Sequence, residues 1–205
     1  MRASLDLFNE RGEGNVALAQ IAANLDMSEG NLWYHFRTKH DLVAALFTEL
    51  EERVERNLSR PPAKVGNQLA DFADYTTQAF RDIWEYRFLF RHRFDRKQSP
   101  ALADRFVSLT ERAHRHAARI LGEMVRRDLM QATAAEIAEL TANAWIILRY
   151  WLDYLQERHG VETISEADFE AGVKQIFALY RPYLTEAAQA QIPVAASAKR
   201  KAARG

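Results

Sequence analysis

Residues 27–39 read Met-Ser-Glu-Gly-Asn-Leu-Trp-Tyr-His-Phe-Arg-Thr-Lys, and the fold is read outward from them. Ser28 is placed to accept a backbone N–H of the following turn, which starts a short helix from Ser28 to about Phe36. Thr38, with Asp41 three residues on, starts the next helix in the manner of a capping box. Within the short helix Leu32 and Phe36 stand at i and i+4 and share an inward face. Glu29, Asn31, Tyr34 and His35 then point elsewhere, a costly placement for two rings unless something docks against them. Gly30 costs about 1 kcal/mol in a helix relative to Ala, and in return lets another backbone or surface come close.

Upstream, Val16, Leu18, Ile21 and Ala22 mark a preceding short helix, and Leu25-Asp26-Met27 is a tight turn between the two. Two short helices joined this way form a helix-turn-helix, which holds its second helix proud of the surface where it can enter a DNA major groove. The exposed residue types suit base edges: an Asn can make two bonds to adenine, and a carboxylate can accept from cytosine N4.

Helical spacing continues through the chain. Leu5 and Phe8 mark a first helix, closed by the break Gly12-Glu13-Gly14. Leu42, Leu46, Leu50, Val54 and Leu58 repeat at i+4 and carry the helix begun at Thr38 to about Arg60, where Pro61-Pro62 stops it. Further helices are expected from Ala63 to Trp84 and from Tyr86 to Asp95. Another runs from Ser99-Pro100 to Met130, and one from Thr133, boxed with Glu136, to Gly160. The last runs from Ser165, boxed with Asp168, to between Tyr183 and Ala188. The fold class is all-α, with about nine helices and no strand candidate. A helix-turn-helix domain occupies 1–47, its last helix continuing to 60, and a larger helical domain occupies 63–188. Residues 189–205, small and polar and ending in Lys199-Arg200-Lys201 and the residues after it, read as a disordered tail.

Composition bounds the function. The 205 residues are 48% hydrophobic and 27% charged, which excludes wholesale disorder. The absence of Cys excludes disulfides, thiolate metal sites and a Cys nucleophile, and it fits a reducing cytoplasm. No apolar run is long enough to span a bilayer. The N-terminus lacks a signal-peptide layout. Net charge is zero, so any nucleic-acid partner must be argued from a local site. Residues 1–60 hold seven Lys/Arg against ten Asp/Glu, a balance of −3, which is poor for a protein that draws affinity from counterion release.

The run Leu7-Phe8-Asn9-Glu10-Arg11-Gly12, then Ile21-Ala22, then residues 27–39, resembles the DNA-binding domain of the TetR/AcrR family of bacterial transcriptional regulators. The match covers about residues 3–47. Four positions depart from the family pattern: Leu25-Asp26 replaces the usual Ala-Gly of the turn, Trp33 stands where Tyr is usual, and Ala17 replaces a Ser or Thr cap. Relatives also carry several further residues, often basic, ahead of the first helix, which would correct the charge balance. The resemblance implies that Ser28, Trp33, His35 and Lys39 contact phosphates and that Glu29, Gly30, Asn31 and Tyr34 touch base edges. It implies a homodimer that binds a palindromic DNA operator, acts as a repressor in the cytoplasm, and is released by a small-molecule effector. No membrane partner and no cofactor are expected.

Two sets in the second domain suit these roles. A dimer interface is expected on the last two long helices, through Leu140, Ala144, Ile147, Leu148 and Trp151 with Phe169, Val173, Ile176, Phe177 and Tyr180, giving a four-helix bundle across two subunits. An internal core stripe is the plainer reading of the same residues. An effector pocket is expected among Phe72, Tyr75, Phe80, Trp84, Phe88, Phe106, Trp145 and Tyr150, although rings at helical spacing equally suit a core. Arg87, Arg91, Arg93 and Arg96 form a cluster that reads as a solvated face or as a grip on an anionic effector. His92, His114 and His116 are weak metal candidates, since i, i+2 residues do not share a helix face, and no metal is expected. The helix from Thr38 to Arg60 is the expected lever between the two domains. An all-helical small-molecule carrier or protein-interaction module is the alternative; no nucleophile–His set or paired carboxylates favour an enzyme.

Overall fold

The computed structural model describes residues 1–60, 68–91, 99–160 and 165–191, without the side chains of residues 33, 68, 91, 159 and 191. The regular elements among these residues are helices: α1 (Arg2–Arg11), α2 (Leu18–Asn24), α3 (Glu29–His35), α4 (Lys39–Leu58), α5 (Gln68–Glu85), α6 (Arg87–Arg91), α7 (Pro100–Arg126), α8 (Ala134–His159), α9 (Glu166–Tyr180) and α10 (Glu186–Gln191). Short 3-10 turns lie at Glu13–Asn15 and Arg181–Tyr183, and an isolated antiparallel bridge joins Met130 to Leu184. The all-α class is as expected. Pro61-Pro62, the expected helix start at Ala63, and His92, Arg93 and Arg96 lie outside the described residues, as does all of the expected tail after Gln191. The first residues of that tail are instead the end of α10.

The ends of the helices follow from side chains and from left-handed residues. Gly12 (φ 78) closes α1 by returning its N–H to Phe8 O at 3.0 Å, and Gly160 (φ 60) does the same for α8 with Gln156 O at 3.0 Å. Thr133 N–H donates to Glu136 Oε2 at 2.7 Å while Glu136 N–H donates to Thr133 Oγ1 at 3.2 Å, a reciprocal box that opens α8. Ser165 and Asp168 open α9 in the same way. Two expected ends move. Helix α7 stops at Arg126, short of Met130, because Asp128 (φ 57) reverses the chain and Leu129 N–H returns to Met124 O at 2.9 Å. The last helix breaks into α9, a 3-10 turn and α10, with Pro182 in the turn, since a proline has no N–H to extend the ladder.

The chain forms two compact units that do not follow its order: Met1–Ser59 with Arg81–Glu111, and Arg60–Phe80 with the chain from Arg112. Residues 81–111, which the sequence places in the second domain, thus belong to the first unit. Helices α5 and α7 each run through both.

In the first unit Leu5, Phe8, Ile21, Leu42, Leu46, Phe47 and Leu50 form the core, joined by Phe88, Leu89 and Phe90 of α6. Phe8 meets Phe88 with ring centroids 5.1 Å apart, and Phe106 lies 6.2 Å from Phe47 and 5.4 Å from Phe90. Buried Asn9 clasps the α5–α6 junction, its Nδ2 donating to Glu85 O at 2.7 Å and its Oδ1 accepting from Phe88 N–H at 3.1 Å. Arg53 of α4 pairs with buried Asp82 at 3.1 Å and with Glu85, and its guanidinium lies over the Tyr86 ring at 5.4 Å.

In the second unit α8 and α9 pack along their length. Phe72 stands edge-on to Tyr180 at 5.0 Å and to Phe177 at 6.0 Å, and Phe80 edge-on to Phe169 at 5.1 Å. Trp151 Nε1 donates to Asp168 O at 2.9 Å. Among the described residues no helix is long and apolar enough to cross a membrane.

Candidate nucleic-acid interface

Ser28 is extended (φ −69, ψ 148), and its Oγ accepts from Asn31 N–H at 3.2 Å. That cap satisfies one of the donors a helix leaves open at its start. Leu32 of α3, 4% exposed, enters the core, and Phe36 is half-buried just past the helix end. Glu29, Gly30, Asn31, Tyr34 and His35 are all exposed. Tyr34 is 85% exposed and meets His35 edge-on at 5.4 Å. A Cβ added at Gly30 would find no heavy atom within 4 Å, so the packing of the chain itself does not require a glycine there. Gly30 and Tyr34, and Asn31 and His35, are i, i+4 pairs, which makes one continuous polar and aromatic face. Trp33 lies in α3, and its side chain falls outside the described residues.

The turn before α3 depends on Asp26 at φ 52, with Met27 N–H donating to Ala22 O at 3.0 Å. An L-residue in the left-handed region is strained, Asp less so than most. Asp26→Gly is expected to stabilise the chain by about 0.5–1 kcal/mol and raise Tm by about 1–4 °C. Thermal denaturation checks this; an unchanged or lower Tm would show that the Asp side chain contributes to the turn. At Ala17 the missing cap is half replaced, since Ala17 N–H donates to Gln20 Oε1 at 2.9 Å.

Helix α4 begins with the reciprocal Thr38–Asp41 box, with bonds of 2.9 and 3.1 Å. Lys39, in its first turn, is half-buried and turned back on the chain: Nζ donates to Glu13 O at 2.8 Å and Val16 O at 3.2 Å, and lies 3.2 Å from Glu13 Oε1. Nothing local in the sequence signals this contact, because its partners lie 23 and 26 residues away.

The sets expected in the second domain are redistributed. Trp84, Phe88 and Phe106 belong to the first unit, where Phe88 and Phe106 complete its core. Tyr150 is 52% exposed, since it lies on the side of α8 opposite Leu140, Ala144, Leu148 and Leu152, and shares an outward stripe with Ile146 and Tyr154. Phe72, Tyr75, Phe80 and Trp145 remain in the second unit. There Tyr75 packs on His116 at 5.0 Å and its hydroxyl donates to Ala113 O at 3.5 Å, while His114 lies 5.1 Å from Trp145. Burial pushes the Tyr75 phenol up to about 12, and burial with Tyr75 alongside raises Tyr180, so both stay neutral near pH 7. Burial, followed by the charge of Arg119, lowers His116 below its ordinary value.

Of the expected dimer residues, Leu140, Ala144, Phe169, Ile176 and Tyr180 are buried within the single chain. Ile147, Leu148, Trp151, Val173 and Phe177 are half-buried. Arg87 donates to Trp84 O at 3.2 Å. Among the described residues no three His, Cys, Asp or Glu converge as metal ligands.

The chain matches two family descriptions, "Bacterial regulatory proteins, tetR family" over residues 1–46 and "Bacterial transcriptional repressor" over residues 49–192. It is similar to a TetR-family transcriptional regulator from Marinobacter aquaeolei VT8, with 29% identity, 92% of this chain and 91% of that chain covered, and a TM-score of 0.77. It shares its fold with the TetR-family regulator PfmR from Thermus thermophilus at 16% identity, with 88% and 96% of the two chains covered and a TM-score of 0.65. An HTH-type transcriptional repressor from Mycobacterium tuberculosis is 35% identical over 72 residues, a match that spans 35% of this chain and 38% of that protein. With the two descriptions together spanning nearly all of the described residues, the chain belongs to the TetR family of bacterial transcriptional regulators.

Proposed function

We propose that this TetR-family chain is a one-component transcriptional switch, a repressor that binds an operator as a homodimer and leaves it when a small molecule binds. The observation that carries the DNA reading is α3 itself: a capped helix that commits Leu32 to the core and displays Gly30, Asn31, Tyr34 and His35 outward. Such a helix suits a major groove, with Glu29, Gly30, Asn31 and Tyr34 against base edges and Ser28, Trp33 and His35 near phosphates. A two-fold dimer reads a palindrome when its recognition helices stand about 34–36 Å apart. The surface offered to a second copy is the outward stripe Ile146, Tyr150 and Tyr154, extended by the half-buried residues of α8 and α9.

The effector reading is supported by the aromatic and polar cluster of the second unit, Phe72, Tyr75, His116, Phe177 and Tyr180, whose neutral phenols offer hydrogen bonds in apolar surroundings. Helix α4 lies wholly in the first unit, so α5 and α7, which run through both units, are the elements by which a ligand in the second would act on the first. A coupling of about 1–3 kcal/mol would change operator affinity about 5- to 150-fold. The reading includes no catalytic role.

The test is a gel shift with DNA flanking the gene at two salt concentrations. Retardation that weakens as salt rises is expected. Tyr34→Ala is expected to lower affinity about tenfold, in the range of one lost base contact, and to leave the dimer intact by sedimentation. Absence of any specific retardation would favour the protein-interaction module to which the −3 balance of residues 1–60 points.

A further inference from the structure

We propose that Lys39 is a positioning residue, a clasp that closes the helix-turn-helix upon itself, and not a phosphate ligand. The inference rests on the DNA-binding reading and refines its site. A lysine ammonium has three N–H donors and no acceptor. Those of Lys39 face the Glu13 carbonyl at 2.8 Å, the Val16 carbonyl at 3.2 Å and the Glu13 carboxylate at 3.2 Å. Two carbonyls accept hydrogen bonds from it, and the carboxylate pairs with it and neutralises its charge locally. The Lys39 side chain is 31% exposed and that of Glu13 18%.

The place of the contact gives its purpose. Glu13 and Val16 lie just before α2, and Lys39 opens α4; between them the chain makes α2, the Asp26 turn and α3. The clasp therefore fastens the entrance of the helix-turn-helix to its exit. Val16 is buried, so its carbonyl is a fixed anchor. The carbonyl at Glu13 also accepts Val16 N–H at 3.3 Å, which makes the 3-10 turn and the clasp one unit. Among the described side chains of α3 only Leu32 is buried, and a link between the segments on either side limits how far the helix can tilt. A cation already neutralised by Glu13 holds no bound phosphate and releases no counterion on DNA binding.

The experiment measures DNA affinity against salt for the wild type, Lys39→Met and the charge-balanced pair Lys39→Met with Glu13→Gln, on a mixed-sequence duplex. Amide exchange of residues 18–35 is measured on the same proteins without DNA. Both variants are expected to lose about tenfold in affinity with the slope of log K against log salt unchanged, and to exchange the amides of α2 and α3 about tenfold faster. Two results overturn the assignment: a slope smaller by about 0.9, the mark of one lost phosphate contact, or exchange as slow as in the wild type. If the wild type binds no duplex, the DNA reading fails, and the exchange measurement alone still decides whether Lys39 is a clasp.

Discussion

Replacing Arg53 by Met is expected to cost about 3–5 kcal/mol of stability, against about 5–15 kcal/mol for a typical domain. The reason is Asp82. Its side chain is 3% exposed, and Arg53 approaches it at 3.1 Å while also binding Glu85 and covering the Tyr86 ring. Methionine keeps much of the stem's packing and removes the charge, so buried Asp82 loses the ion pair that Arg53 gives it at 3.1 Å. Chemical denaturation of the wild type and variant measures the loss. The control is the double variant Arg53→Met with Asp82→Leu. Replacing both partners with apolar groups is expected to return most of the stability, because a buried ion pair gains little over a hydrophobic one of similar size. If the single variant loses less than about 1 kcal/mol, the pair is no better than a surface ion pair. The loss would also appear in DNA binding, since Arg53 ties α4 to the end of α5 in the unit that carries α3.

The second large effect is expected from a single methyl group. Gly172 lies buried in α9, and a Cβ there would come within 2.4 Å of Phe80 Cζ and 2.7 Å of the Trp151 ring. Neither ring is free to move. Phe80 is buried edge-on to Phe169, and Trp151 is held by its bond to Asp168 O at 2.9 Å. Alanine gains about 1 kcal/mol in helix propensity, against an overpacking cost of about 3 kcal/mol. Gly172→Ala is therefore expected to destabilise by about 2 kcal/mol and lower Tm by about 4–8 °C. Adding Trp151→Phe, which makes room, is expected to recover part of it. A Gly172→Ala protein as stable as the wild type would show that α9 can shift away from α5 and α8.

The helix-turn-helix was legible because its signals are local. The Ser28 cap, the inward Leu32 and the outward Tyr34 and His35 follow from spacing within one helix, and each stands as expected. The caps at Thr38, Thr133 and Ser165 follow from residues three apart. Lys39 shows the limit of local reasoning. Its position marks it as a cation near the recognition helix, but its partners lie on the far side of two helices in sequence. Likewise Asp82 and Arg53 are ordinary charges until the fold brings them together out of water.

Helical periodicity identifies an apolar face without naming what covers it. On α8 and α9 the sequence marks Leu140, Ala144, Phe169, Ile176 and Tyr180 as a stripe to be buried, and a second subunit and the same chain were both candidates for the cover. Within the single chain Leu140, Ala144, Phe169, Ile176 and Tyr180 are buried, while Ile146, Tyr150 and Tyr154 are exposed. Tertiary packing also assigned residues 81–111 to the unit of the recognition helix, although they follow the proline break and belong by order to the second domain. From its amino acids alone the molecule is all-helical, starts with a helix-turn-helix and displays α3, because propensity, capping and amphipathic spacing act over a few residues. The partner of each buried face, the pairing of distant charges and the division into units were decided by the folded chain, because burial is settled among segments far apart in sequence.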